Sequence, residues 1–339
     1  MKVFLIGGTG LLGSITAAEL IRRGHQVQAI ALPPVPQGAN LHPQMKLDFK
    51  NYLTLTDEEI RGYFTGCDGF VFASGVDERV EGPSPIYEFF NKHNVYPLEK
   101  FLRMAKECGV KHVAICGSYF SYFDKIWPEK EFYKWHPYIR SRRDQEKMAM
   151  GFADDKFSVG ILELPYIFGA QKGREPVWTL IVKVVRGMKG VTMYPKGGTT
   201  MVTIKQVGQA IAGALERTKG GQCWPIGYYN MKWKDFLMIV HKHMGQPKRK
   251  VITVADWMLK LGMKSMEKQL RTPGAECGLY MPKFPDIQCA YTFIDKSLGS
   301  VPLGVEEDDI DAAIGESIRL SMDVMDGKVP NYVKMTGGE

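Results

Sequence analysis

The chain has 339 residues, of which 45% are hydrophobic and 24% charged, and its formal net charge is +7. This composition and length are typical of a globular protein with a large core and two lobes. Lysines and arginines are scattered among acids, and no stretch approaches the ~18 apolar residues of a membrane span, so the sequence predicts neither a nucleic-acid nor a membrane partner.

The first motif is a glycine-rich turn between a predicted strand and a predicted helix. Residues 3–6 form a short apolar run, as in a buried parallel strand, and Gly7, Gly8, Gly10 and Gly13 follow in quick succession. The apolar residues after the glycines have a helical period. Because glycines let the backbone approach a ligand and the start of a helix presents free N–H groups, this pattern predicts a site for the pyrophosphate of a dinucleotide.

The spacing Gly7-x-x-Gly10-x-x-Gly13 resembles the extended branch of the short-chain dehydrogenase/reductase superfamily, which contains NAD-dependent epimerases, dehydratases and 3β-hydroxysteroid-dehydrogenase-like enzymes. The resemblance implies an α/β fold with a Rossmann-type, doubly wound parallel sheet and a smaller C-terminal substrate lobe. It implies a dinucleotide-binding domain over residues 1–165, completed by about 202–228, and a substrate lobe over 166–201 and 229–339. In the glycine turn it assigns cofactor contacts to Gly7, Thr9, Gly10, Leu11, Leu12 and Gly13.

The next segments predict the remaining cofactor contacts. Residues 27–32 are predicted as the second strand, and near its end stands Ala31 rather than an acid that would bind a ribose or an arginine that would hold a 2′-phosphate, so both NAD and NADP remain open. Asp48 and Phe49 resemble the third strand of the family, whose acid reaches the adenine; the alternative is a surface aspartate. Residues 69–74 are predicted as the fourth strand, and the resemblance places its small-residue turn beside the cofactor: Ala73, Ser74 and Gly75.

The catalytic candidates follow the fifth predicted strand, residues 113–116. The turn from Gly117 to Tyr122 resembles the family's S-x-x-V-Y motif, which places Ser118 on the catalytic serine. The segment from Tyr138 to Arg142 resembles Y-x-x-S-K, which places Tyr138 on the catalytic tyrosine. A carbonyl that accepts a hydride needs a proton donor and a hydroxyl that holds the developing oxyanion. A cation one helical turn after the tyrosine lowers its pKa.

Arg142 departs from the family pattern, which has lysine at this position. Arginine keeps the positive charge that lowers the pKa of a neighbouring tyrosine, and it can donate a hydrogen bond to the nicotinamide ribose. It does not release its own proton at working pH, and its planar guanidinium differs in reach from an ammonium group. The charge effect is therefore expected to persist, whereas a proton relay through this residue is in doubt.

The second half of the chain carries the substrate signals. A strand is predicted over residues 159–164, and Pro165 then lies where the family packs a proline against the nicotinamide. Residues 202–207 resemble the segment that returns to the first domain. Nucleotide-sugar epimerases usually lead this segment with an arginine that binds substrate phosphate, but this chain has Thr199, Thr200 and Met201. Helices are predicted over residues 227–247 and 306–325.

The cysteines and histidines predict no metal site. The six cysteines are dispersed without a C-x-x-C pair, which favours reduced thiols and a cytoplasmic location. His241 and His243 are two residues apart, so on a helix they point to different faces and would not share a metal ion. The apolar run before the first glycines is too short for a signal peptide.

The sequence favours an NAD(P)-dependent oxidoreductase that acts on a carbonyl or secondary alcohol of a relatively apolar small molecule. Tyr138 is the expected acid/base, Ser118 the group that holds the substrate oxygen, and Arg142 the cation. One alternative is an NAD-dependent epimerase or dehydratase of a sugar, including nucleotide sugars, with retained NAD. Another is a catalytically silent dinucleotide-binding protein. The family resemblance also implies a homodimer as an expected assembly, which the residues themselves do not indicate.

Overall fold

The computed structural model describes residues 1–270 and 274–334, and its main feature is a central sheet of seven parallel strands. Residues 271–273 and 335–339, which belong to the expected substrate lobe, lie outside the described residues. The strand order is β11-β7-β6-β4-β1-β2-β3. Successive strands are added on one side of β1 as far as β3 and then, from β4 onward, on the other side, so the order of addition reverses between β1 and β4. A crevice at the carboxyl ends of the strands next to such a reversal is where open parallel sheets bind their ligands.

The strands are β1 (Lys2–Ile6), β2 (Gln26–Ala31), β3 (Lys46–Phe49), β4 (Gly69–Phe72), β5 (Glu81–Pro83), β6 (His112–Cys116), β7 (Ser158–Glu163), β8 (Tyr166–Phe168), β9 (Val191–Pro195), β10 (Gly198–Thr203), β11 (Gly221–Pro225), β12 (Tyr229–Lys232), β13 (Lys250–Val254), β14 (Ala275–Cys277) and β15 (Tyr291–Thr292). The helices are α1 (Leu11–Arg22), α2 (Asp57–Phe64), α3 (Ile86–Phe90), α4 (Tyr96–Glu107), α5 (Tyr119–Ile126), α6 (Phe132–Trp135), α7 (Pro137–Met150), α8 (Thr179–Gly187), α9 (Ile204–Arg217), α10 (Trp233–His243), α11 (Asp256–Leu270), α12 (Pro285–Gln288) and α13 (Ile310–Met325).

Helices cover both faces of the central sheet, which explains why its strands are apolar runs rather than alternating patterns. On one face, residues of α1 and α9 pack with Val3 and Leu5 of β1. On the other face, residues of α2, α4 and α7 pack with Phe4 and Ile6 of the same strand. The expected α/β fold with a Rossmann-type parallel sheet is confirmed.

Within residues 1–270 and 274–334, three smaller sheets lie outside the central one: β12-β10-β15 with β8 beside β10, the pair β13 and β9, and the pair β14 and β5. The segment predicted to return to the first domain therefore splits, because β10 belongs to the second sheet while α9, which follows it, packs on α1. β11 pairs with β7 at the edge of the central sheet. The division into the two expected lobes stays a prediction.

Two predicted helices begin later than their apolar periods indicate. In the segment predicted as helix over 227–247, the residues of β12 pair with β10, and α10 begins at Trp233. The last helix begins at Ile310 rather than at residue 306, because the side chain of Asp309 caps it by accepting a hydrogen bond from Ala312 N at 2.9 Å. None of the described helices has the length and apolar character needed to span a bilayer.

Candidate active site

The glycine turn joins the ends of β1, β2 and β4. The backbone N–H groups of Gly7 and Gly8 both donate to the carbonyl of Ile30, at 2.9 and 3.1 Å. Gly7 has a φ of +98°, and a Cβ there would lie 2.5 Å from the carbonyl oxygen of Ala73. A Cβ on Gly13 would lie only 2.1 Å from the carbonyl oxygen of Gly7. The turn therefore needs glycine at both positions.

The first turn of α1 fits the pyrophosphate that the sequence predicts. Gly10 is the N-cap residue and offers no side chain to bond the free N–H groups, and the first turn contains no acid. A Cβ on Gly10 would meet only the Gly7 carbonyl oxygen, at 3.1 Å. A helix start with free donors and no negative charge is a suitable anion site. Leu11 and Leu12 lie in this turn, as expected.

Replacing Gly13 by alanine should disrupt the turn, because the new Cβ would lie 2.1 Å from the Gly7 carbonyl oxygen and the backbones of β1 and α1 would have to separate. We expect a loss of about 2 kcal/mol or more in the free energy of unfolding, measured by urea denaturation. Gly62→Ala is the matched control, because Gly62 lies inside α2 with open space around its Cβ position. That control should be neutral or slightly stabilising; equal effects of both changes would contradict the close contact.

The predicted cofactor residues outside the turn lie at the carboxyl ends of the strands of the central sheet. Ala31 ends β2 and is buried, and the exposed side chain of Leu32 follows it. Gly75, at the end of the small-residue turn of Ala73 and Ser74, has a φ of +133°, and a Cβ there would lie 2.5 Å from Asn94 Oδ1. Pro165 is buried two residues beyond the end of β7.

Asp48 and Phe49 lie beside Ile30 and Ala31 at the carboxyl end of the outermost strand β3, and both are exposed. Asp48 Oδ2 accepts a hydrogen bond from the Tyr63 hydroxyl at 3.2 Å. Burial and the charge of Asp48 raise the pKa of Tyr63 to about 12, so the phenol remains a donor to this carboxylate. Asp48 is thus a partnered surface residue, and its expected contact with adenine stays a prediction.

Tyr138 and Arg142 meet as the i, i+4 spacing on α7 predicts. Arg142 Nε donates to the Tyr138 hydroxyl at 3.1 Å. Both residues are buried: 7% of the surface of Arg142 and 4% of that of Tyr138 are exposed. The guanidinium carbon also lies 5.2 Å from the centroid of the Tyr138 ring. Burial raises the pKa of Tyr138, and the positive charge of Arg142 opposes that rise. Arg142 therefore places a fixed cation against the Tyr138 hydroxyl; that it takes the role of a catalytic lysine stays a prediction.

Further hydrogen bonds fix the Arg142 guanidinium. Nη1 donates to Gln145 Oε1 at 3.0 Å and Nη2 donates to the carbonyl of Val76 at 3.3 Å. The Gln145 amide in turn donates to the carbonyl of Asn94 at 2.5 Å. Asn94 belongs to a single turn of π-helix, Asn91–Val95, between α3 and α4, and irregular turns of this kind are frequent at functional sites. Arg142 is thus bonded directly within α7 and to Val76, and through Gln145 to the π-helical turn.

Ser118 lies where β6 delivers it, two residues beyond the carboxyl end of the strand. It is the N-cap of α5, and its Oγ accepts a long hydrogen bond of 3.4 Å from Phe120 N. The ring of Phe120 lies edge-on to the ring of Tyr138, with centroids 6.4 Å apart. Among the described residues no acceptor is recorded for the Ser118 hydroxyl proton. Phe120 thus contacts both Ser118 and Tyr138, and no hydrogen bond between the serine and the tyrosine is recorded among the described residues.

Sequence reasoning missed Glu78, which lies in the loop after β4. Burial raises the pKa of Tyr138, Tyr119 and Tyr166, and the charge of Glu78 adds to the rise in each. Burial, with the charge of nearby Asp77, raises the pKa of Glu78 itself. The signal was present in the sequence, because three consecutive charged residues, 77–79, follow the small-residue turn at a strand end where ligands bind.

A second missed feature is a cluster of two buried acids and two partly exposed cations at α5, α7 and β7. Lys125 Nζ lies 2.6 Å from Glu163 Oε1 and 3.3 Å from Glu146 Oε2, and Arg143 Nη1 lies 3.0 Å from the same Glu146 oxygen. The Cys223 thiol borders the two carboxylates. Burial and the neighbouring Glu146 charge raise the pKa of Glu163 to about 8, against the opposing effect of Lys125. Glu146 contacts both cations, whereas the raised pKa of Glu163 favours its protonated form at neutral pH.

Replacing Glu163 by glutamine should make the protein more resistant to alkaline pH. A carboxyl group whose folded pKa is raised holds its proton longer in the folded than in the unfolded chain, so wild-type stability falls as pH rises from about 4.3 to about 8. Glutamine removes that loss. We expect equal free energies of unfolding near pH 4 and an advantage of a few kcal/mol for Glu163→Gln above pH 8, from denaturant titrations at each pH. Glu129→Gln, at an exposed position, is the control; a constant difference at all pH values would contradict the shifted pKa.

The chain was compared with known proteins. No curated protein sequence matches it. Several solved structures share its fold at low identity. The structure of gox2253 has 19% identity and a TM-score of 0.72, covering 97% of this chain and 99% of the other. A nucleoside-diphosphate-sugar epimerase from Pseudomonas aeruginosa has 16% identity and a TM-score of 0.66, covering 96% and 98%. The Bordetella bronchiseptica enzyme WbmH, solved with NAD+, has 15% identity and a TM-score of 0.66, covering 95% and 98%.

A family model gives the more specific result. The model of the NAD dependent epimerase/dehydratase family matches residues 3–224. The match runs from the glycine turn through Ser118, Tyr138 and Arg142 to β11, so it includes every catalytic candidate described above. The chain therefore belongs to the NAD dependent epimerase/dehydratase family.

Proposed function

We propose that this protein is an NAD(P)-dependent oxidoreductase that transfers a hydride between the cofactor and a carbonyl or secondary alcohol of a relatively apolar small molecule. The observation that carries the proposal is the hydrogen bond from Arg142 Nε to the buried hydroxyl of Tyr138. A phenol next to a fixed cation can give a proton to a carbonyl oxygen and take one back from an alcohol. The bound dinucleotide would supply the hydride acceptor or donor.

Each residue then has a distinct role. Tyr138 donates the proton to the substrate oxygen during reduction, and Ser118 Oγ, which has no recorded acceptor among the described residues, holds that oxygen. Arg142 lowers the pKa of Tyr138 against the effect of burial. It also lies close enough to Gly75, with Nη2 3.7 Å from the glycine's Cβ position, to orient a ribose beside the small-residue turn.

The surroundings of Tyr138 support a relatively apolar substrate. The ring centroid of Phe90 lies 5.5 Å from that of Tyr138, and Phe120 packs on the ring from another side. At the position where nucleotide-sugar epimerases usually place a phosphate-binding arginine, Thr199 is buried and accepts a hydrogen bond from Thr292 Oγ1 at 3.0 Å. A substrate diphosphate would find no charged partner from this segment of β10.

The second candidate is a sugar epimerase or dehydratase with retained NAD. It is favoured by the family match and by Glu78, whose charge contributes to the raised pKa of Tyr138 and whose carboxyl group can bond sugar hydroxyls. The two candidates differ in whether the cofactor leaves. An epimerase returns its cofactor to the starting state in each turnover, whereas a dehydrogenase exchanges it.

One experiment separates them. Purified protein is denatured, any released dinucleotide is identified, and NADH and NADPH oxidation is followed with cyclohexanone and acetophenone as probes. Steady oxidation that requires Tyr138 supports the oxidoreductase. The epimerase would be supported, and the oxidoreductase contradicted, by three results together. These are near-stoichiometric bound NAD, interconversion of UDP-glucose and UDP-galactose, and no net oxidation of NADH. Dinucleotide binding without either reaction, unchanged in a Tyr138 variant, would favour the catalytically silent protein.

A further inference from the structure

A loop from the second half of the chain lies over the glycine turn. Gln171 Nε2 donates to the carbonyl of Thr9 and to Ser14 Oγ, both at 3.1 Å. Arg174 Nη2 donates to the same Thr9 carbonyl at 3.3 Å, and its Nε donates to Gln171 Oε1 at 2.8 Å. These bonds bring a guanidinium to the turn that the cofactor is expected to contact. Sequence reasoning assigned nothing to this loop.

The same loop also contacts the segment that follows β2. A Cβ on Gly173, which has a φ of +72°, would lie 2.3 Å from both the backbone N and the O of Gln37. Val333 N donates to the Gly173 carbonyl at 2.8 Å, and Glu175 N donates to the Val333 carbonyl at 3.0 Å, so the loop is held from both sides. Arg174 thus stands between the glycine turn and the segment after β2, which is the adenosine-ribose side of a dinucleotide in this fold.

The positive charge of Arg174 has no acidic partner among the described residues. The side chain is half-buried, and burial lowers its pKa with no opposing effect from a carboxylate. Its bonds reach only a carbonyl and an amide oxygen, and within the described part of the chain no acceptor is recorded for Nη1. A partly desolvated guanidinium with free donors is a strong site for a phosphate group.

We propose that Arg174 binds the 2′-phosphate of NADP, so that this protein prefers NADPH to NADH. The end of β2 supports this assignment, because Ala31 and Leu32 provide no carboxylate to bind a free ribose hydroxyl or to repel a phosphate. The cation that the end of β2 lacks comes from a loop about 140 residues later in the sequence. This inference goes beyond the proposed function, which leaves the choice of cofactor open.

The test measures binding and needs no substrate. Dissociation constants for NADPH and NADH are obtained from nicotinamide fluorescence with the full-length wild type, Arg174→Gln and Arg174→Lys. We expect the wild type to bind NADPH about 10- to 100-fold more tightly than NADH, as a charge-assisted contact provides. Arg174→Gln should remove most of that preference and leave NADH affinity within about twofold. Arg174→Lys should restore part of it.

Arg103→Gln is the control, because Arg103 is exposed on α4 and the change removes the same charge. It should alter neither dissociation constant. A wild type that binds NADH as tightly as NADPH would overturn the proposal. So would an equal loss for both cofactors in Arg174→Gln, because that result places the guanidinium on the pyrophosphate they share. Thermal unfolding of each variant shows that it is folded, and a failure of carbonyl reduction would leave these binding results untouched.

Discussion

Replacing Tyr138 by phenylalanine should lower kcat about 10²- to 10⁴-fold while leaving cofactor affinity unchanged. The hydroxyl lies 3.1 Å from Arg142 Nε and is the candidate proton donor, and general acid–base groups typically contribute this much to a rate. Tyr138 is buried among aromatic rings, so phenylalanine keeps the packing and removes one oxygen atom. The measurement is steady-state reduction of the ketone that the wild type turns over, together with a fluorescence titration of the cofactor.

Tyr122→Phe is the matched control for Tyr138→Phe. Tyr122 lies on α5, half-buried, and none of the recorded hydrogen bonds of the described residues involves its hydroxyl. This change should leave kcat within about twofold, as expected for a substitution away from the reacting atoms. Full activity in Tyr138→Phe would refute the assigned role, and loss of cofactor binding in the same variant would indicate a structural effect instead.

Replacing Arg142 by methionine should lower kcat at neutral pH and move the pH profile of alcohol oxidation upward. Burial raises the pKa of Tyr138, and the charge of Arg142 opposes that rise. Removing the cation raises the pKa further, so the tyrosinate needed to accept the alcohol proton forms only at higher pH. We expect a loss of about 10²-fold or more at pH 7 that narrows as pH increases. The measurement is kcat over the range of pH in which the variant stays folded.

Arg142→Lys distinguishes the charge from the hydrogen-bond geometry. Lysine keeps the positive charge but loses the guanidinium geometry that reaches Gln145 Oε1 and the Val76 carbonyl together. We expect a pH profile near that of the wild type and a reduced affinity for the cofactor. A profile shifted as far as that of Arg142→Met would show that geometry, and not charge, sets the pKa of the tyrosine.

Sequence predicted the parts of the site that depend on short stretches of chain. The strand, glycine turn and helix of residues 1–22 follow from local pattern, and the contact of Tyr138 with Arg142 follows from helical spacing. The parallel sheet follows from apolar runs that alternate with helices. These features needed no knowledge of how distant segments approach one another.

Contacts between distant segments could not be predicted in the same way. Arg174 bonds to Thr9 across 165 residues and Gln145 to Asn94 across 51. No spacing rule connects such residues, because their meeting depends on how the loops after β8 and before α4 fold back. The pairing of Lys125 with Glu163 could not be predicted for the same reason. In the sequence, the residues of that cluster resemble an ordinary charged surface.

The single turn of π-helix has a consequence for how this site tolerates change. The side-chain amide of Asn94 accepts from Val76 N at 2.8 Å and donates to the Val76 carbonyl at 3.1 Å, so it pairs with that residue as a neighbouring strand would. An α-helix turns about 100° per residue. Deleting one residue before Asn94 would swing this amide away from Val76, whose carbonyl also anchors Arg142. The rotation of Asn94 about the axis of the π-helical turn thus determines, through Val76, where the Arg142 guanidinium of α7 is held.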